Sequence, residues 1–156
     1  MKLIKTFSAD QFARGLESWM WLDLGAKVPV FASSFGDVFL EDSGRFWFLD
    51  TVEGRLIQPW ETRDALKATL ATPEGQGQFL LGGLAMAAEQ SGIVLGPTEV
   101  CDFVVPPILG GAVDVANLVA RDFVVALNIG GQIHQQVKDL PPGTPLQGIK
   151  IEDLGA

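Results

Sequence analysis

Two stretches of this chain, residues 28–58 and 101–143, are built of short strand-forming runs broken by glycine and proline turn signals. A run of β-branched and aromatic residues that meets a turn every few positions buries its apolar side most readily by pairing with its neighbour in an antiparallel sheet. In the first stretch, Val28 to Phe31 reads as a strand. Val38-Phe39-Leu40 and Phe46-Trp47-Phe48-Leu49 then flank Asp42-Ser43-Gly44, and Glu53-Gly54 turns the chain into Arg55-Leu56-Ile57. The two turns predict a three-stranded antiparallel meander. In the second stretch, Phe123 to Ile129 and Gln132 to Val137, separated by Gly130-Gly131, read as a β-hairpin, and Pro141-Pro142-Gly143 leads to a last strand from Leu146 to Ile151. A second meander is expected there.

Helical signals fill the rest. Ser8 with Gln11 has the spacing of a capping box, and Phe7 with Phe12 that of a hydrophobic staple. The helix they open carries Phe12, Leu16, Trp19 and Met20 on one face and ends before Gly25. Thr62 caps a second helix through Leu70, and Thr72-Pro73 begins a third. Gly75, Gly77, Gly82 and Gly83 weaken that third segment, which therefore depends on close packing against a sheet. After the Gly96-Pro97 turn, a short helix or strand runs through Val105 and is stopped by Pro106-Pro107. The fold class is α+β: antiparallel β meanders, an N-terminal amphipathic helix, and a central helical segment packed on the sheet. With 156 residues, 47% of them hydrophobic, one domain over residues 1–156 is the expectation.

Charge narrows the partners. A net charge of −8 with 11 scattered basic residues argues against nucleic-acid binding, which needs clustered Lys and Arg, and favours a basic partner. Cys101 is the only cysteine, so an internal disulfide and a cysteine-based zinc cluster are excluded, and the residue reads as a small core side chain in a reducing compartment. The first ten residues lack the apolar run of a secretory signal, and no window reaches the length of a membrane span. A cytoplasmic location is expected.

Reactive constellations are sparse. His134, the only histidine, has Gln132, Gln135 and Gln136 as neighbours and on a strand would share a polar, solvated face with Gln132 and Gln136. Glu41 with Asp42, Asp50 with Glu53, and Glu152 with Asp153 are carboxylate pairs of the kind that turns favour, although a cleft would make such a pair an acid and a base. No glycine pair is followed by the lysine and hydroxyl of a phosphate loop. Trp47 faces opposite to Phe46 and Phe48, so either one set is exposed or both faces of the sheet are covered.

Phe35-Gly36-Asp37-Val38-Phe39, Leu49 to Gly54, Leu95-Gly96-Pro97, Phe103 to Gly111, Asn117-Leu118 and Gly131 to Gln136 together resemble, in order and spacing, a bacterial family. It is the GAD-like domain and associated C-terminal immunity domain of type VI secretion DNase-immunity proteins. The GAD-like part corresponds to residues 1–90 and the immunity-type part to 91–156. The chain departs from that pattern at Cys101-Asp102-Phe103, where an aromatic-Gly-Phe sequence is expected. The resemblance implies a cytoplasmic, antitoxin-like protein that binds a DNA-degrading effector, with no catalytic residue, cofactor or metal to carry over. The candidate partner-binding residues are Asp37, Glu41, Asp42, Trp47, Asp50 and Glu53, with His134 from the second meander. A carboxylate-dependent hydrolase and a ligand-sensing or scaffold domain are the competing readings.

Overall fold

The Ser43-Gly44 step turns the chain between two inner strands of the sheet. Both residues hold positive φ (54° and 78°), the geometry of a two-residue hairpin turn whose twist matches that of the flanking strands. In the computed structural model, which describes residues 1–141, 144 and 148–152, that turn joins β3 (Val38–Asp42) to β4 (Arg45–Asp50). β4 pairs in turn with β5 (Arg55–Trp60), and β3 with β2 (Val28–Ser33). β1 (Ile4–Lys5) adds itself to the β2 edge, giving a five-stranded antiparallel sheet in the order β1-β2-β3-β4-β5.

Alternation along the strands sorts the core into two layers. Val38, Leu40 and Leu49 pack with Phe12 and Leu16 of α1 (Ala9–Leu16), with Trp19, and with Phe123, Val124 and Leu127 of α5 (Phe123–Val137). Phe39, Phe46, Phe48 and Trp60 point the other way, onto Leu66 of α2 (Arg63–Leu70) and Phe79 and Leu80 of α3 (Pro73–Leu80). Both faces of the sheet are therefore covered, and neither the Trp47 set nor the Phe46 and Phe48 set forms an open aromatic surface.

The caps read from the sequence are present. Ser8 Oγ accepts from Gln11 N while Gln11 Oε1 accepts from Ser8 N, and Phe7 meets Phe12 edge to face. Thr62 and Thr72 cap α2 and α3 through Ala65 N and Gly75 N. A Cβ on Gly75 would stand 1.8 Å from Thr69 O, so this glycine lets α3 close on α2 rather than on the sheet. Leu81, left-handed at φ 49°, ends α3 and starts α4 (Gly82–Gln90). Met20 is a correction: past Leu16 the helix tightens to a 3-10 turn at Glu17–Trp19, which rotates Met20 outward to 61% exposure.

The second meander is also corrected. Phe123–Val137 is a single helix, capped by Asp122, whose carboxylate accepts from Val125 N. Gly130 and Gly131 are interior to it. A Cβ on Gly131 would lie 2.2 Å from Ser18 Oγ and 2.7 Å from the Ser18 backbone, so the glycine serves close approach of two helical segments. Trp19 Nε1 donates to Leu127 O at 2.8 Å across the same contact. The sheet in this half is two-stranded, β6 (Glu99–Phe103) with β7 (Leu118–Asp122). Cys101 N donates to Ser34 O at 2.7 Å and ties β6 to the β2–β3 turn, while the Cys101 side chain is fully buried. Residues 146 and 147 of the expected last strand, and residues 142 and 143 of the turn before it, lie outside the described residues, and 148–151 form no strand.

Candidate functional site

At one end of the five-stranded sheet the β2–β3 and β4–β5 turns lie side by side, and a single buried carboxylate binds them together. Asp37 Oδ1 accepts from Thr51 N (2.8 Å) and Thr51 Oγ1 (2.7 Å), and Oδ2 accepts from Ser33 Oγ (3.0 Å). Burial pushes the Asp37 carboxyl up to about 6, against the pull of its Thr51 and Ser33 donors. On the other side of Thr51, His134 Nε2–H donates to the Thr51 carbonyl at 2.8 Å. That bond assigns the proton to Nε2, and burial of the ring holds its pKa below the usual imidazole range. The ring also lies against Gly54, where a Cβ would stand 2.2 Å from Nδ1, and 5.5 Å from Trp19.

These turns form one wall of an open groove of about 150 Å³. Phe35, Gly36, Thr51 and Val52 face Phe103 and the Pro106-Pro107-Ile108 segment, with Ile133 and His134 of α5 between them. The lining is mostly apolar. Its ion pair is Asp102 with Arg121, 3.0 Å apart on β6 and β7, both partly exposed. Burial raises the Asp102 carboxyl, and Arg121 and Phe103 N oppose the shift. Among the described residues lining the groove, Asp102 is the single carboxylate. No group of three or more His, Cys, Asp or Glu among the described residues is placed to hold a metal ion.

The candidate residues read from the sequence do not form one patch. Glu41 and Asp42 sit at the opposite end of β3 and β4, where Glu41 pairs with Arg63 at 3.1 Å and Asp42 accepts from Ser43 Oγ. Trp47 is half-buried in the helix-covered layer, with Lys27 Nζ 4.3 Å from its ring centre. Asp37 and His134 are buried at 3% and 5% exposure, so neither presents a surface to a macromolecule. His134 is on α5, not on a solvated strand face. Asp50 and Glu53 flank the lining residues Thr51 and Val52 and are the candidates at the groove end that reach the surface. Asp50 accepts from Val52 N and Glu53 N and pairs with Arg55 at 3.4 Å, whereas Glu53 is exposed and makes no ion pair among the described residues.

Asp102, Arg121 and Thr51 were not among the sequence candidates. Arg121-Asp122 interrupts the apolar run between Leu118 and Phe123, but nothing in the local order shows that Arg121 faces β6, because the β6–β7 pairing joins residues about twenty positions apart. One signal did exist: the segments 35–39, 49–54, 103–111 and 131–136, quoted above for their family resemblance, each contribute residues to this groove. No family model and no curated protein matches this chain. No helix among the described residues is long and apolar enough to cross a membrane.

Proposed function

We propose that this chain is a cytoplasmic immunity protein that neutralises a basic, DNA-degrading effector by occlusion, without turning over a substrate. One observation carries the reading: four of the six segments that resemble the DNase-immunity family converge in space on one groove at the acidic Asp50–Glu53 end of the sheet. A buried carboxylate and a buried imidazole hold the walls of that groove in place, which suits a preformed docking surface. The net charge of −8 complements the positive surface with which a nuclease holds DNA.

The second reading, a carboxylate-dependent hydrolase, is favoured by the raised pKa of Asp102 inside a concave site. Its carboxylate is already paired with Arg121, and no second carboxylate among the described lining residues stands across the groove to act as its partner. The binding reading accounts for more of the site. Co-expression with the product of an adjacent reading frame that is itself shown to be a toxic DNase tests it: the chain relieves toxicity, and Asp102→Asn relieves it as well because its carboxylate performs no chemistry. Toxicity unchanged by the wild-type chain removes the proposal, and protection lost only in Asp102→Asn with retained binding transfers support to the hydrolase.

A further inference from the structure

From Val104 to Val113 the chain runs ten residues without one charged or hydrogen-bonding side chain, and it runs in the open. Val104, Val105, Ile108 and Val113 expose 58%, 46%, 40% and 58% of their surface, four of the eleven exposed large hydrophobics among the described residues. The others are spread over the remaining chain. Within the loop Pro106, Pro107 and Leu109 are half-buried, but the exposed valines and Ile108 form a contiguous apolar surface that marks a site built to be covered.

The loop is also fastened. Asn117 Nδ2 donates to Val105 O (2.8 Å) and Ala112 O (2.9 Å), Asn117 Oδ1 accepts from Val105 N (3.0 Å), and Asn117 O accepts from Val104 N (2.8 Å). Inside this bracket a 3-10 turn at Pro107–Leu109 ends in Gly110 at φ 94°. Gly111 then passes so close that a Cβ would lie 1.7 Å from Val105 O. One side chain, Asn117, thus holds both ends of an apolar loop in a fixed shape, and a loop ordered in advance loses little entropy on docking.

Charge selects the occupant. Glu53 at the groove and Asp114 at the end of the loop are exposed acids with no ion pair among the described residues. An anionic bilayer would repel them and the chain's net −8 charge, and a second copy would set acid against acid. We infer that residues 104–113 are the anchor of the interface: the loop inserts Val105 and Ile108 into an apolar depression on the effector, whose basic rim meets Glu53 and Asp114. This rests on the binding reading above and adds to it the residues that hold the partner.

The experiment uses the full chain and a catalytically disabled form of the DNase identified by the co-expression test above. Val105→Ser/Ile108→Ser removes two exposed anchors, and Asn117→Ala releases the bracket while keeping every apolar side chain; circular dichroism confirms the fold of each. The double variant is expected to bind about 30-fold more weakly or worse, as loss of a central interface anchor does, and Asn117→Ala about 10-fold more weakly. Wild-type affinity in the double variant, with Glu53→Lys binding weakly, overturns the anchor and leaves the binding reading standing. Absence of binding by the wild-type chain overturns both. Co-sedimentation of the wild type with phosphatidylcholine–phosphatidylglycerol vesicles, or a dimer that the double variant converts to monomer, also overturns the inference, by naming lipid or a second copy as the occupant.

Discussion

Asp37 and His134 pull the stability of this protein in opposite directions as pH changes. The Asp37 carboxyl is raised to about 6 in the folded state, so the native protein holds a proton that the unfolded chain has released, and Asp37 favours folding least above pH 6. On lowering the pH from 7 to 5, wild type should gain about 1 kcal/mol relative to Asp37→Asn, read from paired denaturant titrations. His134 has the reverse sign. Its folded pKa is lowered, so stability present at neutral pH is lost as pH falls through the unfolded histidine range, and His134→Gln should remove that acid-side loss. A wild-type profile parallel to both variants would show that neither group is as buried as described. The sequence reading placed Asp37 among the partner-binding candidates, and its neighbours Phe35-Gly36 gave no sign that the side chain folds inward onto Thr51. That inward turn depends on a β4–β5 contact fourteen residues away, which no local pattern records.

Glycine shows where local reading succeeds and where it fails. Gly44 and Gly54 were read as turns and are turns, with φ of 78° and 71°, because hairpin chemistry is settled by adjacent residues. The helix caps at Ser8, Thr62 and Thr72 were legible for the same reason. Gly130-Gly131 looked identical to a hairpin turn, yet the pair lies inside α5, where its reason is the Ser18 and Trp19 surface more than one hundred positions earlier. An apolar run such as Phe123 to Ile129 is ambiguous between strand and helix, and a glycine pair tipped the reading the wrong way. The structure gives these glycines different signs on substitution. Gly131→Ala should destabilise by about 1–3 kcal/mol, since the added methyl meets the Ser18 backbone. Gly77→Ala, in α3 with nothing within 4 Å of the new Cβ, should stabilise by up to about 1 kcal/mol. Thermal melts of the two variants decide this; an unchanged or raised melting temperature for Gly131→Ala would contradict the packing described for α5, and a lowered one for Gly77→Ala the open space described at α3.

For the molecule as a whole, the α+β class and the first meander were readable because alternation and turns repeat along β2 to β5, whereas the site was not, because a sheet separates acids that are close in sequence. Glu41 and Asp42 stand at the far end of β3 and β4 from Asp50 and Glu53, and the groove joins four distant segments. The consequence for binding is specific. Glu53→Lys should weaken the complex with the effector and steepen its loss with salt less than wild type, while Glu41→Lys and Asp42→Lys should leave the affinity within a factor of about two, as distant surface charges do at physiological ionic strength. Equal effects at both ends would relocate the interface away from the groove. The most direct measurement is cleavage of DNA by the DNase identified by co-expression, titrated with the purified chain. Neutralisation by occlusion predicts that cleavage falls in proportion to the chain added and ceases when the chain is in excess; undiminished cleavage at a large excess of chain would contradict it.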